Sequence, residues 1–409
     1  MKDMKKENEI KTVVPALRFP EFREMKGWEK TYIYEECPNP YSGGTPKTTE
    51  KKYYGGNIPF IRSAEIGKDK TELSITQDGL NNSSAKMVQK GDLLIALYGA
   101  NSGDIAISKI DGAINQAILC LKAKSNNLFI YYTLLKRQKD IVSKYLQGGQ
   151  GNLSGEIIKS IDFYIPQKIE QQKIADCLSS LDDLIEATAQ KVDALKKHRK
   201  GLMQRLFPAE GKNVPDLRFP EFQEAEEWKE CSIDEYFDFK QGFQCPIEEQ
   251  YDKQENGMVR FIRIIDLTQP STPYRYINDP GDQYYINKEN LFMVRYGDPG
   301  LIGIGYEGII ANNLFQLIPK KKSNPYFFYF LFSKEKTRIK GLSSSTSLSA
   351  INFTSLKALK IVVSQNTDEQ QKIANCLFSI DELIEATSRK VEILKEHKKG
   401  LMQQLFPKI

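Results

Sequence analysis

Two stretches of this 409-residue chain are written twice, and such a repeat restricts the fold to two copies of one unit. Val14-Pro15-Ala16-Leu17-Arg18-Phe19-Pro20-Glu21-Phe22 returns as Val214-Pro215-Asp216-Leu217-Arg218-Phe219-Pro220-Glu221-Phe222, and Trp28 returns as Trp228. Residues 171–208 return as 370–407 with 27 of 38 positions identical. Between these near-copies lie two segments, roughly 30–168 and 230–367, of similar length and different sequence. They share a faint skeleton: Phe60-Ile61-Arg62 with Phe261-Ile262-Arg263, Tyr98-Gly99 with Tyr296-Gly297, Asn115 with Asn313, Ser125-Asn126 with Ser323-Asn324. Near-identical connectors around diversified inserts imply two modules of one fold that read different things. Unequal drift after a duplication is the alternative.

The repeated connectors are helical by period. Ile174, Leu178, Leu181, Ile185, Thr188, Val192, Leu195, Arg199, Leu202 and Leu206 follow 4-3-4-3 spacing. Ile373, Leu377, Ile380, Ile384, Thr387, Val391, Leu394, Lys398, Leu401 and Leu405 repeat it. This pattern predicts a coiled-coil seam, with Pro166 and Pro208 bounding one helix and Pro407 closing the other. A helix of about 37 residues at ~1.5 Å each is a rod of roughly 55 Å. The second insert begins where the first helix ends and finishes where the second helix begins. An antiparallel pair with one module at each end meets that connectivity, and its pseudo-dyad matches that of duplex DNA. The rod corresponds to roughly 16 bp at ~3.4 Å per base pair, an upper bound on the spacing of the two modules.

Each insert reads as a compact α/β module. Residues 57–62, 91–99 and 259–265 have strand character, and 128–145 and 326–339 have helix character. The expected division is 1–168 for the first module with its N-terminal segment 1–29, 169–208 for the first helix, 209–368 for the second module and 369–409 for the second helix.

Composition narrows the chemistry. The chain carries 58 Lys+Arg against 53 Asp+Glu, a net charge of +5, so any polyanion must be met by local charge. The six cysteines never fall closer than fourteen apart, which predicts no zinc or redox pair and no structural metal. Residues 1–11 are charged, and no run approaches eighteen apolar residues, so a cytoplasmic protein with reduced thiols is expected. Only His198 and His397 offer imidazoles, which disfavours triads and multi-His sites. Both read as solvated helix residues.

Three motifs only resemble catalytic ones. Gly303-Ile304-Gly305-Tyr306-Glu307-Gly308 spells G-x-G-x-x-G, but a second apolar run follows it instead of a helix, and no acid stands at the ribose spacing. It reads as a glycine-rich strand turn. Asn39-Pro40-Tyr41 and Asn324-Pro325-Tyr326 lack the second proline of an amino-methyltransferase motif, and Asn324-Pro325 is an ordinary helix start. No phosphate-binding P-loop is present, and Glu50-Lys51-Lys52 has no partner acid for a nuclease. No catalytic residue is expected.

What remains suits nucleic-acid reading. Ser42, Thr45, Lys47, Lys51, Lys52 and Tyr53 lie in one polar, basic and aromatic stretch, and Tyr98, Asn101 and Ser102 in a second loop. Lys suits phosphates, while Asn, Ser and Gln suit base edges. A solvated turn is the competing reading of any one such loop. Gln147, Gln150 and Asn152 recur in position as Ser344, Ser345 and Thr346, just before the last strand of each module. Gln241, Gln244, Arg295 and Tyr296 supply similar chemistry in the second module. Arg62 and Arg263 share a frame at a strand end, where either a guanine contact or a structural salt bridge fits.

Two variable segments separated by near-identical long helices resemble the specificity (S) subunit of type I restriction–modification systems. The phrases SGGTPKTTEKKYYGGNIPFIRSAEI (42–66), GDLLIALYGANSGDIAI (91–107), AINQA (113–117) and the EQQKIA openings at Glu170 and Glu369 carry the likeness. The second module departs from it, with Gly242-Phe243 where the first has Ser42-Gly43-Gly44. The resemblance implies two α/β target-recognition domains at opposite ends of a long antiparallel two-helix coiled coil. It implies a non-catalytic subunit that reads a bipartite asymmetric DNA site, the helices setting the spacer. It also implies two methyltransferase subunits, which use S-adenosylmethionine to methylate adenine, and two restriction/translocase subunits driven by ATP with Mg. A stand-alone two-headed DNA-binding regulator and a protein-binding scaffold are the other readings.

Overall fold

The computed structural model describes residues 12–146, 153–269, 271–343 and 350–408. The chain divides into two compact units, Met1–Thr188 with Lys390–Ile409, and Ala189–Arg389. The division cuts both long helices, Lys168–Arg205 and Thr367–Leu405, so each unit holds the start of one helix and the end of the other.

In the first unit the strands are β1 (Glu29–Tyr32), β2 (Tyr41–Ser42), β3 (Tyr54–Ile61), β4 (Leu73–Ile75), β5 (Lys86–Val88), β6 (Leu93–Ala96), β7 (Ile105–Ile107), β8 (Gly112–Ile114), β9 (Ile118–Leu121) and β10 (Asp162–Ile165). They form the sheets β1-β10, β2-β9-β6-β7 and β4-β3-β8-β5. The second unit has β11 (Lys229–Ser232), β12 (Phe237–Gln241), β13 (Met258–Ile262), β14 (Arg275–Asn278), β15 (Tyr285–Ile286), β16 (Leu291–Val294), β17 (Ile302–Gly303), β18 (Gly308–Ile310), β19 (Leu314–Pro319) and β20 (Lys360–Val363). Its sheets, β11-β20, β12-β19-β16-β17 and β14-β13-β18-β15, repeat the same plan. The central strands β6 and β16 are buried at every position, which suits their unbroken apolar runs.

The expected module helices are Asn127–Leu146 and Pro325–Lys340. Asn126 and Asn324 start them in the same way, each side chain accepting from the N–H three residues on, Phe129 or Phe327, at 2.9 Å. Two strand expectations are corrected. Residues 91–99 form a strand only over Leu93–Ala96, because Gly99 turns at φ +88°. Residues 259–265 leave the sheet at Ile262, because Arg263 and the buried Asp266 box in a short helix, Ile264–Thr268.

The matching of the modules also needs one correction. Ile61 faces Ile114, and Ile262 faces Ile310, so Asn115 corresponds to Ala311 and not to Asn313. The stretch between β16 and β18 is two residues shorter than that between β6 and β8, which shifts the alignment by that amount. The Gly303–Gly308 fingerprint is a strand turn: Gly303 ends β17, Gly305 has φ +86°, and Gly308 opens β18.

Each core closes on a chain end borrowed from the other repeat. Trp28 meets Phe129 and Phe406 at ring distances of 5.6 and 6.1 Å, and Trp228 meets Phe327 and Phe207 at 5.6 and 6.0 Å. The Leu-Phe-Pro end of the second long helix therefore completes the first unit, and that of the first helix completes the second. The arms follow suit, Leu17 N–H donating to Gln404 O and Leu217 N–H to Arg205 O.

Within each unit the two long-helix segments run antiparallel. In the first, Glu170 lies with Phe406 at Trp28 while Asp182 meets Lys398. In the second, Glu369 lies with Phe207 at Trp228 while Asp381 meets Arg199. Ile174, Leu178, Val192, Ile373, Leu377 and Val391 are buried as the period predicts. Leu181, Ile185, Leu195, Leu202, Ile380, Ile384, Leu394 and Leu401 are half-buried. The Thr188 and Thr387 hydroxyls turn back onto Leu184 O and Leu383 O at 2.6 Å. Arg199 and Lys398, at seam positions, make ion pairs there instead of apolar contacts.

Candidate DNA interface

The polar loops converge because the sheets bring them together. In the first module Gly43 N–H donates to Asn115 O, Leu97 N–H to Ala117 O, and Leu153 N–H to Leu97 O. Residues 42–45, 97–102, 115–117 and the segment entering at Leu153 therefore meet at one sheet end. Gly43 permits the approach, since a Cβ there would lie 1.8 Å from Ile114 O. The second module repeats the junction: Gly242 N–H donates to Leu314 O, Arg295 N–H to Asn313 O, and Ile351 N–H to Arg295 O.

At the first junction Ser42 lies in β2, and the exposed Thr45 donates to Gln116 Oε1 at 2.8 Å. Lys47, Lys51 and Lys52 are exposed and make no ion pair among the described residues, while Lys52 Nζ lies 5.4 Å from the Tyr53 ring. Asn101 donates to Asp104 Oδ2 and the Ser102 hydroxyl to Leu97 O, so both shape their loop. Burial raises the Tyr98 phenol above its ordinary pKa and keeps it neutral.

At the second junction Arg295 donates to Gln241 Oε1 at 2.9 Å and lies 4.5 Å from the Phe353 ring. Gln241 in turn donates to Asn312 O, and the Tyr296 hydroxyl donates to Asn312 Oδ1 at 3.2 Å. Gln244 is exposed. The counterpart of the lysine loop is acidic here, with Glu248 and Glu249 exposed. Gln147, Gln150, Asn152, Ser344, Ser345 and Thr346 lie outside the described residues.

Arg62 and Arg263 are both held in ion pairs. Arg62 donates to Glu65 at 3.0 and 3.2 Å and to Glu72 at 2.5 Å. Arg263 donates to Asp266 at 3.1 and 3.2 Å and to Pro273 O at 3.0 Å. The salt-bridge alternative is thus the one the geometry displays. Glu65, then Glu72, raises the Arg62 pKa further above its ordinary value.

A second group of polar residues fixes the frame. Glu170, buried, accepts from Arg18 Nε at 2.8 Å, Arg18 Nη2 at 2.7 Å and Trp28 Nε1 at 3.1 Å. Glu369 accepts from Arg218 and Trp228 in the same way, and from the Ser364 hydroxyl at 2.6 Å. Arg18, Trp28 and Glu170 recur as Arg218, Trp228 and Glu369 in the repeated phrases, but nothing in one dimension shows that they meet; Ser364 has no counterpart. Asp182 gathers Lys398 and the Tyr132 hydroxyl, and burial, then that hydrogen bond, raises the Tyr132 phenol. His198 and His397 are exposed. Among the described residues no group of three His, Cys, Asp or Glu is placed to hold a metal, and no helix is long and apolar enough to cross a membrane.

The model of the type I restriction modification DNA specificity domain matches this chain twice, over residues 25–197 and 225–396. A putative type I restriction enzyme specificity subunit of Methanocaldococcus jannaschii, MjaX, is 29% identical, the alignment covering 94% of this chain and 97% of that one. The MjaVIII specificity subunit of the same organism is 26% identical, with 94% and 95% covered. The crystal structure of the S subunit of a type I restriction–modification system from M. genitalium has the same fold, with a TM-score of 0.65 at 17% identity over 97% of this chain and 100% of that one. With the domain model matched by both modules and most of the chain, this protein belongs to the family of type I restriction–modification specificity subunits.

Proposed function

We propose that this chain is the non-catalytic, DNA-reading member of a type I complex. Each module reads one half of a bipartite asymmetric site in double-stranded DNA, and the long helices set the undefined gap. The observation that carries this is the repeated junction: one backbone frame, built twice, presents Thr45 and Gln116 in one module and Gln241, Arg295 and Tyr296 in the other. A common frame with exchanged side chains suits two different half-sites. Two methyltransferase subunits dock on the two repeats, since duplicated faces take partners in pairs. Two restriction subunits join them, with S-adenosylmethionine, ATP and Mg held by those partners in the cytoplasm.

The test is a chain in which residues 230–367 are replaced by a second copy of 30–168, co-expressed with its methyltransferase subunit. Methylation of a palindromic version of one wild-type half-site is expected. Continued methylation of the asymmetric wild-type site would refute one half per module.

A further inference from the structure

We infer that Arg260 is a specificity-determining residue of the second module, which presents the outer edge of its guanidinium to a guanine in the half-site that module reads. The inference rests on the DNA-reading function proposed above and names a residue for it. On β13, Arg260 pairs with Tyr276 of β14 on one side. On the other side its backbone meets Gly308 of β18, where a Cβ would come within 2.3 Å of Arg260 O. Its guanidinium carbon lies 3.8 Å from the centre of the Tyr274 ring and 5.4 Å from that of Tyr306. The Tyr306 ring is fixed in turn, its hydroxyl donating to Asp266 O at 3.2 Å and its edge meeting Phe292. The two rings fix the plane of the fork, which a bidentate reader needs.

The fork is uncommitted. Arg218, Arg263, Arg275, Arg295 and Arg338 of the second module all make hydrogen bonds or ion pairs. Arg260 makes none among the described residues, and its Nε is buried without an acceptor. With Nε buried, the Nη edge is the part of the fork left to a ligand, and it has no partner among the described residues. The O6 and N7 atoms of guanine are a pair of acceptors for it, and Arg is their commonest partner.

The first module keeps the frame and discards the device. The strand registers place Pro59 where the second has Arg260, and Glu72 and Ser74 where it has Tyr274 and Tyr276. Gly112 stands where Gly308 does, its Cβ 2.8 Å from Pro59 O. A feature that changes between two modules on a constant backbone is placed to make them read differently.

The test compares methylomes of cells expressing the methyltransferase subunit with the wild-type chain, Arg260→Ala or Arg260→Lys. The wild-type motif should contain a G·C pair in the second module's half. In R260A that position should relax to any base, while the other half and the gap persist and prove that the complex assembled. R260K keeps stem and charge but lacks the fork, and its preference for guanine should fall roughly tenfold or more. A wild-type second half without G·C, or unchanged base preferences in both variants, would overturn the assignment and leave the DNA-reading function standing. Uniformly weaker methylation with the same preferences, in R260K as in R260A, would also overturn it, since a phosphate or protein contact acts that way. Absence of any split motif in the wild type would instead reject the underlying function.

Discussion

Removing the Glu170 carboxylate should unlatch the N-terminal arm from the first unit. Among the described residues Glu170 is the sole acidic partner of Arg18, whose other acceptors are Met25 O at 2.8 Å and Lys26 O at 3.0 Å, and both side chains are under 5% exposed. In Glu170→Ala a guanidinium stays buried without its counter-charge, and Trp28 Nε1 loses its acceptor. Breaking a buried pair from one side costs about 3–5 kcal/mol. At a urea dependence of about 2 kcal/mol per molar, the midpoint of that unit should fall by roughly 1.5–2.5 M. The chain has two tryptophans, one per unit, so 5-fluorotryptophan labelling gives two fluorine resonances that report the units separately. The Trp28 resonance should lose its folded position at lower urea, and Glu369→Ala should do the same at Trp228. Replacing Arg18 and Glu170 together by Met and Leu should recover most of the loss. A shift below ~0.5 M in E170A, with the double variant no better, would refute the claim that this pair holds the arm.

Phe406→Ala should destabilise the first unit by about 3–5 kcal/mol and Phe207→Ala the second by as much, each followed at its own fluorotryptophan. Burial pushes the Cys37 thiol up to about 12 and the Cys120 and Cys231 thiols up to about 11, so iodoacetamide near neutral pH should modify the half-exposed Cys245 well before them, as peptide mass spectrometry can read. A fragment of residues 1–208 should dimerise, because antiparallel pairing offers Asp182 of one copy to Arg199 of the other; a strict monomer by light scattering contradicts this. One heptad inserted in each long helix should lengthen the methylated spacer, and an unchanged spacer rejects the helices as its ruler.

The helices and the twofold plan are legible because their signals are local or repeated: the 4-3 period, the Asn324-Pro325 helix start, and the near-copies themselves. The short helix after Arg263 is hidden in an apolar run that reads as strand, because what turns it is Asp266 accepting from the Arg263 N–H. Identity alone matches Asn115 to Asn313, because the stretch from β16 to β18 is two residues shorter than that from β6 to β8. Register resolved it, since Ala96 faces Ile118 while Val294 faces Leu314. Arg260, Tyr274 and Tyr306 left no trace in one dimension, for they meet only when β13 pairs with β14 and β18. The converging loops were individually visible, but their common address depends on Leu97, Asn115 and Leu153 hydrogen bonding across the sheet end.

The central claim, a chain that specifies methylation by reading two half-sites, is tested most directly by co-expressing it with its methyltransferase subunit and mapping adenine methylation by single-molecule sequencing. Two short defined sequences around a fixed undefined gap, methylated only when this chain is present, are the predicted result. An unbroken motif, or no methylation while the chain alone binds DNA tightly, would contradict it and favour a stand-alone regulator.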